Sequence, residues 1–182
     1  MKYYKKIRLA NNMLCIIRNA TINDAKSVLE NTKNIREETD FLLSYPDEIN
    51  FSVEEKEEFL EDKENSPCEI QICALVDDRI IGLARISAVG SKDKVKHRAE
   101  FGISIEKAYY GKGIGTALTK ACIECAKTAG YRQLELEVVA ENKNAIALYK
   151  KFGFKEIGRN PRGFCSRYTG WQELISMLLE LD

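Results

Sequence analysis

Between residues 110 and 116 the chain reads Tyr-Gly-Lys-Gly-Ile-Gly-Thr, with three glycines in five positions. This loop most constrains the fold, because residues 98–105 before it read as a strand and the residues after it as an amphipathic helix. Ile114, Ala117, Leu118, Ala121, Cys122, Cys125, Ala126 and Ala129 recur at three- and four-residue spacing, and Gly130 stops the pattern. Glycines at a strand-to-helix junction let the backbone approach a ligand closely. The unpaired amides of the first helical turn and the positive end of the helix dipole then suit an anion such as phosphate or pyrophosphate. Two familiar nucleotide-binding spacings do not fit: there is no G-x-x-x-x-G-K-S/T and no G-x-G-x-x-G. Glycines also permit tight strand-to-helix packing, so the loop alone leaves both readings open.

The remaining periodicity surrounds that loop with strands and helices. Residues 13–18 are apolar and β-branched and predict a first strand. Thr21 with Asp24 opens a helix whose buried face is marked by Ile22, Ala25, Val28, Leu29 and Ile35, and Ser52 with Glu55 opens a second, charged helix to about residue 63. Residues 69–76 and 79–89 predict two strands turned at Asp77-Asp78. After the glycine loop and its helix come a strand at 134–139, a helix at 142–152 closed by Gly153, and strands at 154–158 and about 168–179. The order β-α-α-β-β-β-α-β-α-β-β predicts an α/β (α+β type) fold, a mixed, mostly antiparallel twisted sheet flanked by helices.

Composition narrows the class. The 182 residues suit one domain, taken as 1–182, which can bury roughly two-thirds of its unfolded surface. Twenty-eight Lys and Arg balance 28 Asp and Glu, so no sequence-wide charge draws nucleic acid or an anionic membrane. The basic start, residues 1–8, is followed by no apolar run long enough for a signal peptide, and nothing spans a bilayer. The expectation is a cytoplasmic protein with Cys15, Cys68, Cys73, Cys122, Cys125 and Cys165 as free thiols. Cys122-x-x-Cys125 lies in a helical pattern with no second ligand pair, so no metal is expected.

About thirty residues beyond the glycine loop, Asn142-Lys143-Asn144-Ala145-Ile146-Ala147-Leu148-Tyr149 precedes Lys150-Lys151-Phe152-Gly153-Phe154. Together the two stretches resemble the GNAT superfamily of N-acetyltransferases, of bacterial type. Its phosphate-binding signature, (Gln/Arg)-x-x-Gly-x-(Gly/Ala), is matched by Gly113 and Gly115, with Tyr110 in place of Gln or Arg. Its second signature, Asn-x-x-Ala-x-x-Leu-Tyr with Gly-Phe close behind, is matched by Asn142, Ala145, Leu148, Tyr149, Gly153 and Phe154. The resemblance covers nearly everything after about residue 68, while the earlier residues match only in element order.

The resemblance implies acetyl-CoA as cosubstrate. It implies that the pantetheine arm pairs with Ile103, Ser104 and Ile105, that the pyrophosphate rests on the amides of Gly111, Lys112, Gly113, Ile114, Gly115 and Thr116, that Asn142, with Ala145 beside it, holds the arm, and that Tyr149 lies near the sulfur. Attack of a neutral amine on a thioester needs a base for the amine proton and an acid for the departing thiolate. Tyr149 is the candidate acid. Glu100 is the first candidate base and Glu137 the second. Glu135 and Glu137 share one strand face, which solvation alone also explains. His97 is a lesser helper, and many members use no dedicated base. The variable region at residues 37–51 walls the acceptor pocket in the family. Its Glu37, Glu38, Asp40, Asp47 and Glu48, beside Phe41, Leu42 and Tyr45, suit a cationic small-molecule amine such as a polyamine, amino acid or aminoglycoside, and equally suit solvated loop charges. A protein N-terminal acetyltransferase of ribosomal-protein type, or a catalytically weak acetyl-CoA-binding regulatory module, are the alternatives. The resemblance also admits a homodimer through the last strands.

Overall fold

In the computed structural model, which describes residues 1–10 and 12–181, the chain opens with an antiparallel hairpin of β1 (Tyr4–Arg8) and β2 (Leu14–Asn19). The first of these strands was not expected. Its Lys5, Lys6 and Arg8 are exposed, and charge on an edge strand discourages pairing with other chains while hiding the strand from a hydrophobicity reading. Asp24 then accepts the backbone N–H of Thr21 at 2.8 Å, as the capping pattern requires. α1 (Ala25–Glu38) follows a single 3-10 turn, Ile22–Asp24. Ile22 belongs to that turn and is exposed, off the buried face expected for it.

α2 (Val53–Asn65) begins at Ser52, whose Oγ accepts the Glu55 N–H at 3.1 Å. β3 (Ile70–Val76) and β4 (Arg79–Ala88) are joined at Asp77 and Asp78, both with positive φ, the conformation a two-residue hairpin with right-handed twist needs. Then come β5 (Arg98–Ile105), α3 (Ile114–Thr128), β6 (Gln133–Val139), α4 (Lys143–Lys151), β7 (Lys155–Ser166) and β8 (Gly170–Glu180). β7 runs well beyond the expected 154–158, and β8 starts later than expected. Gly158, Asn160, Pro161 and Gly163 read as turn residues, yet the strand absorbs them at two register shifts, as an edge strand can.

The eight strands form one sheet in the order β1-β2-β3-β4-β5-β6-β8-β7. Neighbours are antiparallel except β5 and β6, which α3 connects as a crossover. β3 is buried along its whole length and divides its side chains by alternation. Ile72, Ala74 and Val76 join the core beneath α3, with Leu118, Ala121 and Cys122. Cys73 and Leu75 join the core beneath α1 and α2, with Val28 and Leu60. Helices therefore cover both faces of the first half of the sheet. No helix among the described residues is long and apolar enough to cross a membrane.

Candidate functional site

The one parallel pairing is also the shortest. β5 and β6 match only at Arg98↔Gln133, Ala99↔Leu134 and Glu100↔Glu135. Beyond Glu100, β5 continues along β4 to Ile105, while β6 continues along β8 to Val139. The facing edges of 101–105 and 136–139 part, leaving strand backbone unpaired inside the molecule. Buried peptide groups seldom stay unsatisfied, so such a split invites an amide-bearing chain to pair with it. A cleft of about 570 Å³ opens there, lined by Ile103, Ser104 and Ile105 on one side and by Asn142, Ala145 and Tyr149 on another.

The glycine loop forms the floor of this cleft. Gly111 and Gly113 have φ of 72° and 93°, a left-handed region that favours glycine. The amides from Gly111 to Thr116 make no hydrogen bond among the described residues; the first bonded one, of Ala117, reaches the Gly113 carbonyl at 3.1 Å. These free N–H groups stand at the N-terminus of α3, where the helix dipole adds positive potential. A pyrophosphate suits that donor set. Gly115 serves packing as well: a Cβ there would sit 3.1 Å from Leu148 and 3.4 Å from Ile105.

One anchor of this floor left no trace in the sequence pattern. Glu106, directly after β5, is buried and accepts from Arg79 Nη2 at 2.7 Å and from Asn31 Nδ2 at 2.9 Å. Its carboxylate fastens the exit of β5 to α1 and to the start of β4. Three residues scattered over 31–106 meet only in the fold, so no local motif could reveal them.

Tyr149 is 7% exposed and packs edge-on against Phe101, with ring centroids 6.0 Å apart. Its hydroxyl makes no hydrogen bond among the described residues, yet it is not sealed off from solvent. Burial pushes the phenol above its ordinary value. Asn142 caps α4, its Oδ1 accepting the Ala145 N–H at 3.2 Å, which leaves Nδ2 available to the cleft. The motif residue thus has a structural duty in addition to any toward a ligand.

The carboxylates distribute differently from the expectation. Glu100 and Glu137 are exposed and absent from the cleft lining; in β5 alternation puts Glu100 on the face opposite buried Ala99 and Phe101. Glu137 accepts from Ser176 Oγ at 3.4 Å. Glu135 is held by Arg98, with Nη2 at 2.7 Å, and that hydrogen bond keeps its carboxyl below the usual range. His97 is half-buried where β5 begins, its carbonyl accepting from Arg132 N–H. Among the described residues no hydrogen bond joins Glu100 or Glu137 to Tyr149.

Four of the five acids of residues 37–51, Glu38, Asp40, Asp47 and Glu48, have partners within the chain. Asp40 accepts from Ser166 Oγ at 2.6 Å and from Gln172 Nε2 at 3.1 Å. Asp47 accepts from Arg167 Nη1 at 2.8 Å, Glu48 from the Tyr45 N–H at 2.8 Å, and Glu38 from the Lys107 N–H at 2.7 Å. Phe41 and Leu42, with Ile35 and Thr39, do wall the cleft.

A model of the Acetyltransferase (GNAT) family matches residues 33–154. Among solved structures, an acetyltransferase of the GNAT family from Streptococcus pneumoniae is 30% identical, with a TM-score of 0.87 over 91% of this chain and 99% of that one. The yncA protein of Salmonella typhimurium, solved with its cofactor acetyl-CoA, is 20% identical with a TM-score of 0.80, over 92% of this chain and 94% of that one, and is a likeness of fold. Among curated proteins, the L-amino acid N-acetyltransferase AaaT of Escherichia coli is 33% identical over 93 residues, 50% of this chain and 57% of that protein. The matched stretch thus spans little more than half of that relative.

Proposed function

The chain belongs to the Acetyltransferase (GNAT) family, and from that premise we propose that residues 1–182 act as one acetyl-CoA-dependent N-acetyltransferase domain whose acceptor is the primary amine of a small molecule. The observation that carries this reading is the parted pair β5 and β6 opening onto the free amides from Gly111 to Thr116. An extended, amide-bearing arm ending in a pyrophosphate matches both halves of that site. When bound, acetyl-CoA supplies the activated thioester.

In this reading the backbone of Ile103, Ser104 and Ile105 pairs with the arm, Asn142 Nδ2 reaches it from the opposite wall beside Ala145, and the glycine-loop amides hold the phosphates. Tyr149 directs its hydroxyl toward the sulfur. Thiols of ordinary acidity have pKa about 8.5 and tyrosine about 10, and burial moves Tyr149 further up. Full proton transfer to a free thiolate therefore runs uphill, and Tyr149 acts chiefly by donating a hydrogen bond to charge building on the sulfur. Glu100 and Glu137 lie across the sheet from Tyr149 and serve as bases only through water or with the amine entering from their face. Proximity in the cleft accounts for much of the rate in any case.

Thermal unfolding with and without acetyl-CoA, with ATP and NAD as controls, tests the donor site. A hundredfold excess over Kd adds about 2.7 kcal/mol to the folded state, which for a chain of this size raises Tm by about 5–10 °C. Release of free CoA thiol on adding amines then tests the transfer. No shift with acetyl-CoA, or an equal one with ATP, rejects the reading.

A further inference from the structure

Arg36 on α1 and Lys56 on α2 lie within electrostatic reach of Arg85 on β4, which pairs with Gly102 and so shares the face of Gly102 and Ser104. Lys56 Nζ lies 4.5 Å from the Phe51 ring centroid and 4.6 Å from that of Phe59. Arg36 donates from Nε to Ser44 Oγ at 2.8 Å and from Nη1 to the Thr32 carbonyl at 3.2 Å. Arg85 pairs with Gly102 in register and runs along it, its Nε 3.5 Å from where a Cβ on Gly102 would stand. Gly102 immediately precedes Ile103, Ser104 and Ile105 at the split, and Ile35, next to Arg36, lines the cleft. Arg36 and Arg85 are thus neighbours, in sequence or through Gly102 in register, of residues that line the cleft, on the face of β5 that carries Glu100; none of the three cations is itself part of the lining.

None of the three forms an ion pair among the described residues, although Arg18, Lys63, Arg79 and Arg98 each hold a carboxylate. Glu100 is the nearest acid by register on this face, one pair beyond Arg85 on the same side of β5, and makes no hydrogen bond to it. Arg36 and Lys56 are half-buried. Burial and the neighbouring Arg85 lower Arg36, and burial with both arginines lowers Lys56. Arg85 is exposed and water screens its charge, so the cost of gathering these cations falls on the half-buried Arg36 and Lys56, and a bound anion relieves it.

We propose that Arg36, Lys56 and Arg85 form a carboxylate-binding subsite and that the acceptor is a free α-amino acid. This rests on the acetyl-transfer reading above and narrows its acceptor. In an α-amino acid one carbon separates the carboxylate from the nitrogen, so gripping the carboxylate beside Gly102 holds the amine at the split between β5 and β6. The same cations favour loss of the ammonium proton, which the attack requires. They repel polyamines and aminoglycosides, whose several positive charges find the loop acids already engaged.

Initial rates with acetyl-CoA, for each L-amino acid beside its own carboxamide and with spermidine and an N-terminally free, C-terminally amidated peptide alongside, test this. The best amino acid is expected to exceed its carboxamide at least thirtyfold in kcat/KM. Arg85→Gln and Lys56→Gln are each expected to remove at least tenfold of that ratio through KM, as loss of a charge-assisted hydrogen bond does. The thermal shift with acetyl-CoA, run on every variant, reports folding and the donor site separately. A normal shift with amino acid and carboxamide used equally, with spermidine or the peptide preferred, or with no amino acid acetylated, overturns the subsite and leaves the donor reading intact. Absence of the shift in the wild type overturns both.

Discussion

Tyr149 brings a phenol into a cleft without giving it a partner in the chain, and burial raises its pKa. A group that must donate hydrogen stays competent below its own pKa, so the tyrosine imposes no loss of activity on the alkaline side before about pH 10. The amine must lose a proton to attack, so kcat/KM rises with pH until the acceptor is neutral. Tyr149 itself adds no descending limb between pH 6 and 10; a descending limb centred near pH 8 to 9 that persists in Lys56→Gln, where titration of the lowered Lys56 is removed, rules out Tyr149 as a donor with a raised pKa. Tyr149→Phe is expected to lower kcat about 10²-fold while moving the acetyl-CoA thermal shift and the protein's own Tm little, because no hydrogen bond of the fold is lost. The place of Tyr149 at the cleft was legible in the sequence because it ends a contiguous motif. Arg36, Lys56 and Arg85 were illegible there because three elements far apart in sequence carry them, and the engagement of Asp40 and Asp47 was illegible because their partners at Ser166, Arg167 and Gln172 lie more than a hundred residues away.

At the scale of the element, the loop before α3 is a backbone device. Nothing lies within 4 Å of a Cβ placed on Gly113, so its φ of 93° is what demands glycine, whereas Gly115 is demanded by Leu148 and Ile105. Gly113→Ala is expected to cost about 1–2 kcal/mol of backbone strain, a drop in Tm of about 2–8 °C. If the loop relaxes to relieve the strain, its amides turn from the phosphate position and the acetyl-CoA shift shrinks as well. Calorimetry with and without ligand measures both, and an unchanged Tm with a full ligand shift contradicts the requirement for a left-handed residue. Three glycines between a strand and a periodic helix made this element readable from sequence. β1 and the second half of β7 were not, since an edge strand escapes the alternation that identifies half-buried strands. In β1 the exposed positions are Tyr4, Lys5, Lys6 and Arg8, three of them cations, and in β7 glycine, asparagine and proline are tolerated because bulges absorb them.

For the molecule as a whole, the split that makes the cleft also divides the sheet. β1 to β5 with α1 and α2 form one part and β6 to β8 with α4 the other, and within the sheet only the three pairs from Arg98 to Glu100 join them. The segment after α1 supplies a second tie across the gap. Asp40 accepts from Ser166 and Gln172, both buried, Tyr45 accepts the Arg167 N–H at 2.7 Å, and Arg167 is paired to Asp47 and lies over the Tyr45 ring at 4.2 Å. Residues 40–47 of the first part thus grip the turn between β7 and β8, closing the cleft on the side of Phe41 and Leu42. Asp40→Ala removes the acceptor that Ser166 and Gln172 share and leaves buried donors short of a partner, at about 1–3 kcal/mol for each such group. The expected loss is about 2–4 kcal/mol, or about 4–16 °C in Tm. Because the tie is mutual, amide hydrogen exchange is expected to quicken together in residues 39–49 and 166–172 while α3 and β6 keep their protection. Quickening confined to 39–49 means that the turn stands without the tie, and the two parts are then held by the three strand pairs alone.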